Sequence, residues 1–137
     1  MMSIVALGVP KLTPTDGNAL DWIPVRGNSM WPTLRSGDRA GLSYAFESVQ
    51  RGNVVLARVS NALVIHRIVE LGAGAVVLRG DNVVTSDPPV PLENVIAVVR
   101  QVKRGNRTLA TAEWDRSPNP LVRFALRISR KLGQLAG

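Results

Sequence analysis

The chain has 137 residues, one histidine and no cysteine, and its formal net charge at pH 7 is +7. Its length and its hydrophobic fraction of 45% are typical of a single globular domain with a sizeable core. The lack of cysteine excludes disulfides and thiolate catalysis, and one histidine without a zinc-binding spacing argues against a metal site, so we expect no cofactor.

The chain begins with an arm, residues 1–20, which Pro10 and Pro14 interrupt. Residues 21–113 then consist of short β-rich runs separated by Gly, Asn and Asp, and we expect them to form one mainly β catalytic domain. The predicted strands are 22–26, 39–45, 53–59, 62–69, 75–79 and 95–103, with a weaker one at 107–112.

The connections between these runs carry their own signals. Ser60-Asn61 and residues 72–74 have the composition of hairpin turns. Residues 80–91 form a long polar connection that carries three prolines. Loops of this length in a compact domain are usually functional or disordered, so we expect functional residues here.

The last segment, residues 114–137, is predicted to form a basic amphipathic helix. Asn119 is a suitable N-cap before Pro120, and apolar residues recur with helical spacing from residue 121 to residue 135. From Lys103 onward the chain has eight cations against two acids. This helix packs on its own domain, lies on an anionic membrane surface or docks to a partner protein. Few aromatic residues and no recognised nucleic-acid-binding motif argue against a nucleic-acid partner.

No segment of the sequence is apolar for long enough to cross a bilayer. The run 4–9 is about a third of the roughly 20 residues that a membrane-spanning helix needs, and it lacks the features of a secretory signal. We therefore expect a soluble, cytoplasmic protein, with peripheral membrane contact as an option for the C-terminal helix.

Ser29 lies in a turn that Gly27, Asn28 and Pro32 impose. Two interpretations remain open: a serine that caps the turn, or a nucleophile whose hydroxyl points outward. A nucleophilic serine needs a base, and no lysine lies between Lys11 and Lys103. His66, 37 residues beyond Ser29, is therefore the candidate base.

His66 lies in a predicted strand, in which Val64 and Ile68 share its face. Such a residue is either a hydrogen-bonded core histidine or a general base that burial keeps neutral. A base also needs a carboxylate on its second ring nitrogen. Asp81 and Asp87, both in the long loop, are the candidates, and each could instead be a turn aspartate. Asp38, by contrast, is expected only to close a turn.

The turn around Ser29 is also the expected oxyanion and substrate-binding site. The Ser29 amide, with the amide or side chain of Asn28, could donate hydrogen bonds to an oxyanion. Gly27 would allow close approach of a substrate carbonyl. Met30 is grouped with them as a predicted substrate-binding residue.

Four segments, in this order, resemble the sequence motifs of type I signal peptidases. They are Gly27-Asn-Ser-Met-Trp-Pro-Thr-Leu34, Gly52-Asn-Val-Val-Leu-Ala-Arg58, Val64-Ile-His-Arg-Ile-Val69, and Arg79-Gly-Asp-Asn82 followed by Asp87. A Ser-Met-X-Pro motif followed by His-Arg and Gly-Asp-Asn is a specific combination. The histidine marks the archaeal and endoplasmic-reticulum branch, in which it replaces the lysine of the bacterial enzymes.

This resemblance implies a role for each site residue. Ser29 corresponds to the nucleophile, His66 to the general base and Asp87 to the acid, with Asp81 as its structural or auxiliary neighbour. It also implies the coiled β-sheet fold shared with self-cleaving SOS repressors, and a peptide bound in extended form beside strand 22–26. Signal peptidases carry a membrane helix and this sequence shows none, which is a departure from the family pattern. The expected substrate is an extended leader or signal-like peptide, cut either by a soluble enzyme or at a membrane that the enzyme only touches.

The sequence thus predicts a small serine endopeptidase that forms an ester on Ser29. One alternative is a regulator that cleaves itself, although the arm is short and contains no Ala-Gly pair. The other is a non-catalytic module that binds a peptide or a partner, although the serine, the histidine and both loop aspartates are present in order.

Overall fold

The computed structural model describes residues 19–115, which form a curled, antiparallel, mainly β structure. The predicted mainly β fold class is confirmed. Almost all of the predicted N-terminal arm and of the predicted C-terminal helix lies outside the described residues. Between residues 19 and 115, no helix has the length and apolar character that crossing a membrane requires.

The strands are β1 (Asp21–Pro24), β2 (Arg39–Ser43), β3 (Val54–Val59), β4 (Ala62–Gly72), β5 (Ala75–Arg79), β6 (Val90–Pro91), β7 (Val95–Arg104) and β8 (Arg107–Leu109). A 3-10 turn covers Leu92–Asn94, and a short helix, α1, covers Thr111–Trp114. The strand order in the sheet is β1-β2-β7-β3-β4-β5-β6, and β8 pairs with β7. All neighbouring strands are antiparallel.

The predicted strands agree with the observed ones in position; the strand 75–79 is confirmed with its bounds, and the others differ in length. β4 continues to Gly72 because its hairpin with β5 stays paired up to the turn. The predicted strand 107–112 is too long, since residue 111 already starts α1. β6 was not predicted, because two residues are too few to produce an alternating pattern. Ser60 and Asn61 have positive φ angles of 50° and 66°, as a tight hairpin between β3 and β4 requires.

Apolar clusters cover both faces of the sheet. Val54 and Leu56 of β3 belong to one cluster, whereas Val55 and Ala57 belong to the other. Successive side chains of a strand point to opposite faces, so a strand buried on both faces needs a continuous apolar run. This explains the uninterrupted Val-Val-Leu-Ala sequence at the centre of the sheet.

The edge strand β1 is held against β2 by an aromatic side chain. Trp22 pairs directly with Gly41, where an added Cβ would lie 3.0 Å from the Trp22 ring. The Lys103 ammonium lies 4.1 Å from the centroid of the same ring, a cation–π contact. The glycine thus gives the indole room to lie on the sheet and fixes β1.

The loop that carries Ser29 is closed at its base by Val25 and Asp38. The Val25 amide donates to the Asp38 carbonyl at 2.8 Å, and the Gly37 amide donates to the Val25 carbonyl at 3.0 Å. The Asp38 carboxylate accepts the Arg35 amide at 2.9 Å, which agrees with its predicted role in a turn. It also accepts two bonds from the Arg104 guanidinium, at 2.9 and 2.8 Å, which tie the loop to β7.

Replacing Asp38 by alanine should lower the free energy of unfolding by about 2–3 kcal/mol, because a buried carboxylate and its hydrogen bonds are lost. Glu113→Gln, which breaks the exposed Arg107–Glu113 pair, is the control and should change stability far less. Urea unfolding of both variants tests this. Equal losses would show that the Asp38 anchor contributes nothing beyond a surface pair.

Candidate active site

Ser29 lies at the start of a compact turn between β1 and β2. The Trp31 amide donates to the Asn28 carbonyl at 3.1 Å, and the Leu34 amide donates to the Met30 carbonyl at 2.9 Å. Met30 and Leu34 are fully buried in the core, whereas Ser29 is half-buried. The core therefore holds the turn from below and leaves the Ser29 hydroxyl at the protein surface.

The structure brings Ser29, His66 and Asp87 together in one line of contacts. His66 Nε2 lies 3.3 Å from Ser29 Oγ, and His66 Nδ1 lies 2.5 Å from Asp87 Oδ2. When Nδ1 donates its proton to the carboxylate, Nε2 carries a lone pair that can accept the serine proton. This arrangement can therefore activate a hydroxyl for attack on a carbonyl carbon.

Strand β4 sets the orientation of His66. Val64 and Ile68, predicted to share its face, pack in one apolar cluster, and Val55 of β3 lies directly opposite His66. His66 itself is 6% exposed. Because neighbouring strands enclose it, the imidazole has a fixed direction, with one ring nitrogen toward the turn and the other toward the long loop.

Asp81 makes different contacts from those of Asp87. Its carboxylate accepts two bonds from Arg67, at 2.8 and 2.7 Å, and one from the Thr33 hydroxyl at 2.5 Å. Both carboxylate oxygens are thus engaged away from His66. The interpretation of Asp81 as the residue that orients His66 is wrong for this geometry, and the role of Asp81 as an auxiliary neighbour stays a prediction.

Arg67 connects three parts of the chain. Besides Asp81, its guanidinium donates to the Gly52 carbonyl at 2.9 Å and to the Asp115 carboxylate at 2.8 Å. Burial lowers the pKa of Arg67, but hydrogen bonds and charges from the two aspartates more than offset this and raise the pKa above its ordinary value. Arg67 is therefore a permanent cation. It fixes to β4 the long loop with Asp81, the turn at Gly52 and Asp115, the residue after α1.

Residues 80–82 lie directly against the Ser29 turn. The Asn82 amide donates to the Ser29 carbonyl at 2.9 Å, and the Asn82 side chain donates to the Asn28 carbonyl at 3.1 Å. A Cβ at Gly80 would overlap the Ser29 carbonyl oxygen and lie 3.1 Å from the Ser29 Cβ. Only glycine lets these two backbones approach so closely.

The predicted oxyanion and substrate-binding group divides into exposed and buried members. Gly27 and Asn28 are exposed, and Gly27 has a φ of 81°. Among residues 19–115 the Ser29 amide donates no backbone hydrogen bond, so it can serve an oxyanion. The Met30 side chain is 1% exposed, and its sulfur accepts the Asp81 amide. The expectation that Met30 contacts substrate is wrong for this side chain, which supports the turn from beneath.

Sequence reasoning missed the partners that hold this site. Thr33, Gly80 and Asn82 fell within the recognised motifs but had no assigned function, and the ion pair of Arg67 with Asp81 was not anticipated. The signal was present in the motifs, but residues 48 apart, as Thr33 and Asp81 are, can be matched only in three dimensions. Within the described part of the chain, no three His, Asp or Glu side chains converge as a metal-binding group.

Comparison with known protein families gives a match that covers most of the chain. The family model described as Peptidase S24-like matches residues 5–106, about three quarters of the chain. This range contains the Ser29 turn, His66 and the whole long loop. The match supports the predicted resemblance at the level of the superfamily that includes signal-peptidase-like proteins. No curated protein matches the chain.

Substituting Gly80 by alanine should destabilise the protein by about 1–3 kcal/mol, because the added methyl group must displace the Ser29 backbone. Gly72→Ala is the matched control, since a Cβ there meets no atom within 4 Å. Chemical denaturation gives the difference. If Gly80→Ala and Gly72→Ala have the same free energy of unfolding, the close approach of Gly80 to Ser29 is refuted.

Proposed function

The chain belongs to the Peptidase S24-like family, and on that premise we propose that it is a serine endopeptidase. Ser29 is the nucleophile, His66 is the general base, and Asp87 orients His66. The proposal requires no metal or organic cofactor. The observation that carries it is the continuous line of contacts from Ser29 Oγ through the imidazole to the Asp87 carboxylate.

The proposed reaction has two acyl-transfer steps. Ser29 Oγ attacks the scissile carbonyl carbon while His66 Nε2 takes the hydroxyl proton, and the Ser29 amide stabilises the oxyanion. His66 then returns the proton to the leaving amine, so the peptide C–N bond breaks and an ester remains on Ser29. Water, deprotonated by the same imidazole, hydrolyses the ester and restores the free serine.

The histidine-dependent branch of the signal peptidases is the finer assignment that we propose. No lysine lies between Lys11 and Lys103, and the Lys103 ammonium lies 4.1 Å from the centroid of the Trp22 ring, so it is engaged away from Ser29. The 3.3 Å separation of His66 from Ser29 supports a Ser-His mechanism. It is at the long end of hydrogen-bond distances, and such catalytic contacts commonly shorten when substrate binds.

The proposed substrate is a peptide segment in extended conformation, such as a leader or signal-like sequence. Within the described residues, β1 pairs with β2 alone, and it leads directly into the Ser29 turn. A peptide that adds to the other edge of β1 would form main-chain hydrogen bonds and could place its carbonyl at Ser29. The basic residues 114–137 remain a proposed contact with an anionic membrane surface, on their composition alone.

Self-cleavage is the second candidate function, and the family match favours it because the SOS repressors share this fold. The two functions differ in kinetic order: cleavage within one chain is first order in protein, whereas cleavage of an added peptide depends on both concentrations. Intact mass spectrometry of the purified protein during incubation detects self-cleavage as a shortened chain. If the cleavage is intramolecular, its rate constant is independent of protein concentration. Cleavage of added peptides by a chain of constant mass supports the endopeptidase.

Ser29→Ala should abolish peptide turnover, with a loss of at least about 10³-fold in kcat, while peptide binding is kept. The nucleophile is removed, whereas the fold and the edge strand are unchanged. The control is Ser36→Ala, an exposed serine of the same loop. Cleavage of a fluorogenic peptide library and fluorescence anisotropy of a bound peptide give the two readouts. Undiminished turnover by Ser29→Ala would disprove the proposed mechanism.

Asp87→Asn should reduce kcat by roughly 10³-fold to 10⁴-fold, because an amide can donate to His66 Nδ1 and so stabilise the wrong tautomer. Glu70→Gln is the control, since Glu70 lines the same cavity as Asp87 but is exposed. Steady-state kinetics of both variants give the two kcat values to compare. If the two substitutions reduce kcat equally, Asp87 has no orienting role.

A further inference from the structure

We propose that Arg79 and Ser86 are a positioning pair that holds Asp87 against His66. This inference rests on the proposed function, in which Asp87 orients the base. Arg79 and Ser86 touch neither Ser29 nor the imidazole in the described hydrogen bonds, so they would act through Asp87 alone.

Arg79 is a buried cation with an unusual partner. It is 6% exposed, and its Nε and one terminal nitrogen both donate to Ser86 Oγ, at 3.1 and 2.9 Å. Among residues 19–115, no carboxylate forms an ion pair with it. Burying a guanidinium with a hydroxyl as its acceptor is energetically expensive, so packing alone is a poor reason for an arginine here.

The position of Arg79 in the sheet adds to this cost. Arg79 on β5 lies directly opposite Arg67 on β4, and like charges at facing positions of a sheet repel each other. Arg67 is neutralised by two aspartates, whereas Arg79 has the Ser86 hydroxyl. An apolar residue would avoid both penalties, which suggests that the bond to Ser86 itself is the useful interaction.

The bond to Ser86 is one of two attachments that fix the segment bearing Asp87. The Asp87 amide donates to the Leu78 carbonyl at 2.8 Å, so residues 86 and 87 are bound to consecutive residues at the end of β5. One attachment holds the backbone of the segment, and the other prevents rotation about it. Together they direct the Asp87 carboxylate toward His66 Nδ1.

Packing does not replace these attachments. Arg79, Ser86 and Asp87 line an open cavity of about 430 Å³, together with Glu70. The Asp87 side chain is 24% exposed and has free space beside it. Without the Ser86 bond the carboxylate could rotate into this cavity, and the His66 tautomer would no longer be fixed.

The single histidine provides a readout that does not depend on peptidase activity. In the full-length protein, the proton on His66 Nδ1 should give one far-downfield NMR signal while the Asp87 bond is intact. Ser86→Ala should shift or broaden this signal, and Ser86→Thr, which keeps a hydroxyl, should restore it. Ser43→Ala removes the hydroxyl of a buried serine on β2 and should leave the signal unchanged.

Kinetics provide the second readout. Ser86→Ala should lower kcat about tenfold to a hundredfold with KM nearly constant, as expected when the partner behind an active-site group is lost. Arg79→Lys keeps the charge but cannot donate two bonds from a rigid fork, so its kcat should fall to an intermediate value. Thermal unfolding monitors the fold of each variant, and we expect Ser86→Ala to fold because Ser86 lies in a partly exposed loop.

The outcomes separate this inference from the proposed function. An unchanged His66 signal in folded Ser86→Ala protein overturns the positioning pair, whatever the peptidase assay shows. A signal that responds to Ser86→Ala and recovers in Ser86→Thr supports the pair even if the wild-type protein cleaves no peptide. If the His66 signal changes equally in Ser43→Ala and Ser86→Ala, the change reflects general destabilisation, and the positioning pair is also overturned.

Discussion

The ion pair between Arg67 and Asp81 is the constraint on which the geometry of the site depends. Arg67 belongs to β4, Asp81 to the loop after β5, and Thr33, which donates to the same carboxylate, to the turn that carries Ser29. Three segments distant in sequence are thus joined by one carboxylate. Removing water from such a pair is costly, but three accepted hydrogen bonds and a second aspartate on Arg67 compensate for it.

The two faces of β4 have different roles: one carries the candidate base, and the other carries the arginine that holds the surrounding loops. His66 and Arg67 are consecutive, so their side chains point to opposite faces of the strand. His66 reaches Ser29 and Asp87, whereas Arg67 reaches the carboxylates that hold the surrounding loops. A change of one residue in the register of β4 would exchange these two environments. The apolar residues on either side, Ile65 and Ile68, prevent such a change because each is fully buried.

The sheet is buried on both faces at its centre, and among residues 19–115 its end strand β1 has a partner strand on one side only. Residues of β3 and of the first part of β4 belong to two buried apolar clusters, and these strands hold the base in a fixed direction. β1, at the end of the strand order, is held by Trp22 on Gly41 and presents its outer edge beside the Ser29 turn. This arrangement fits the extended peptide substrate that we propose, because the main chain of such a peptide can pair with a strand regardless of most side chains.

The sequence by itself determined the mainly β architecture, the positions of most strands and the superfamily, because strand alternation, hairpin composition and short motifs are local signals. Ser29, His66 and Asp87 could be named as candidates for the same reason. The sequence did not decide whether Asp81 or Asp87 contacts His66. It also predicted Met30 as a substrate-binding residue, whereas the Met30 side chain lies in the core. Only the tertiary structure decided these points. Which carboxylate meets the imidazole depends on how a loop returns to the sheet, and that path is set by hydrogen bonds between residues far apart in the chain.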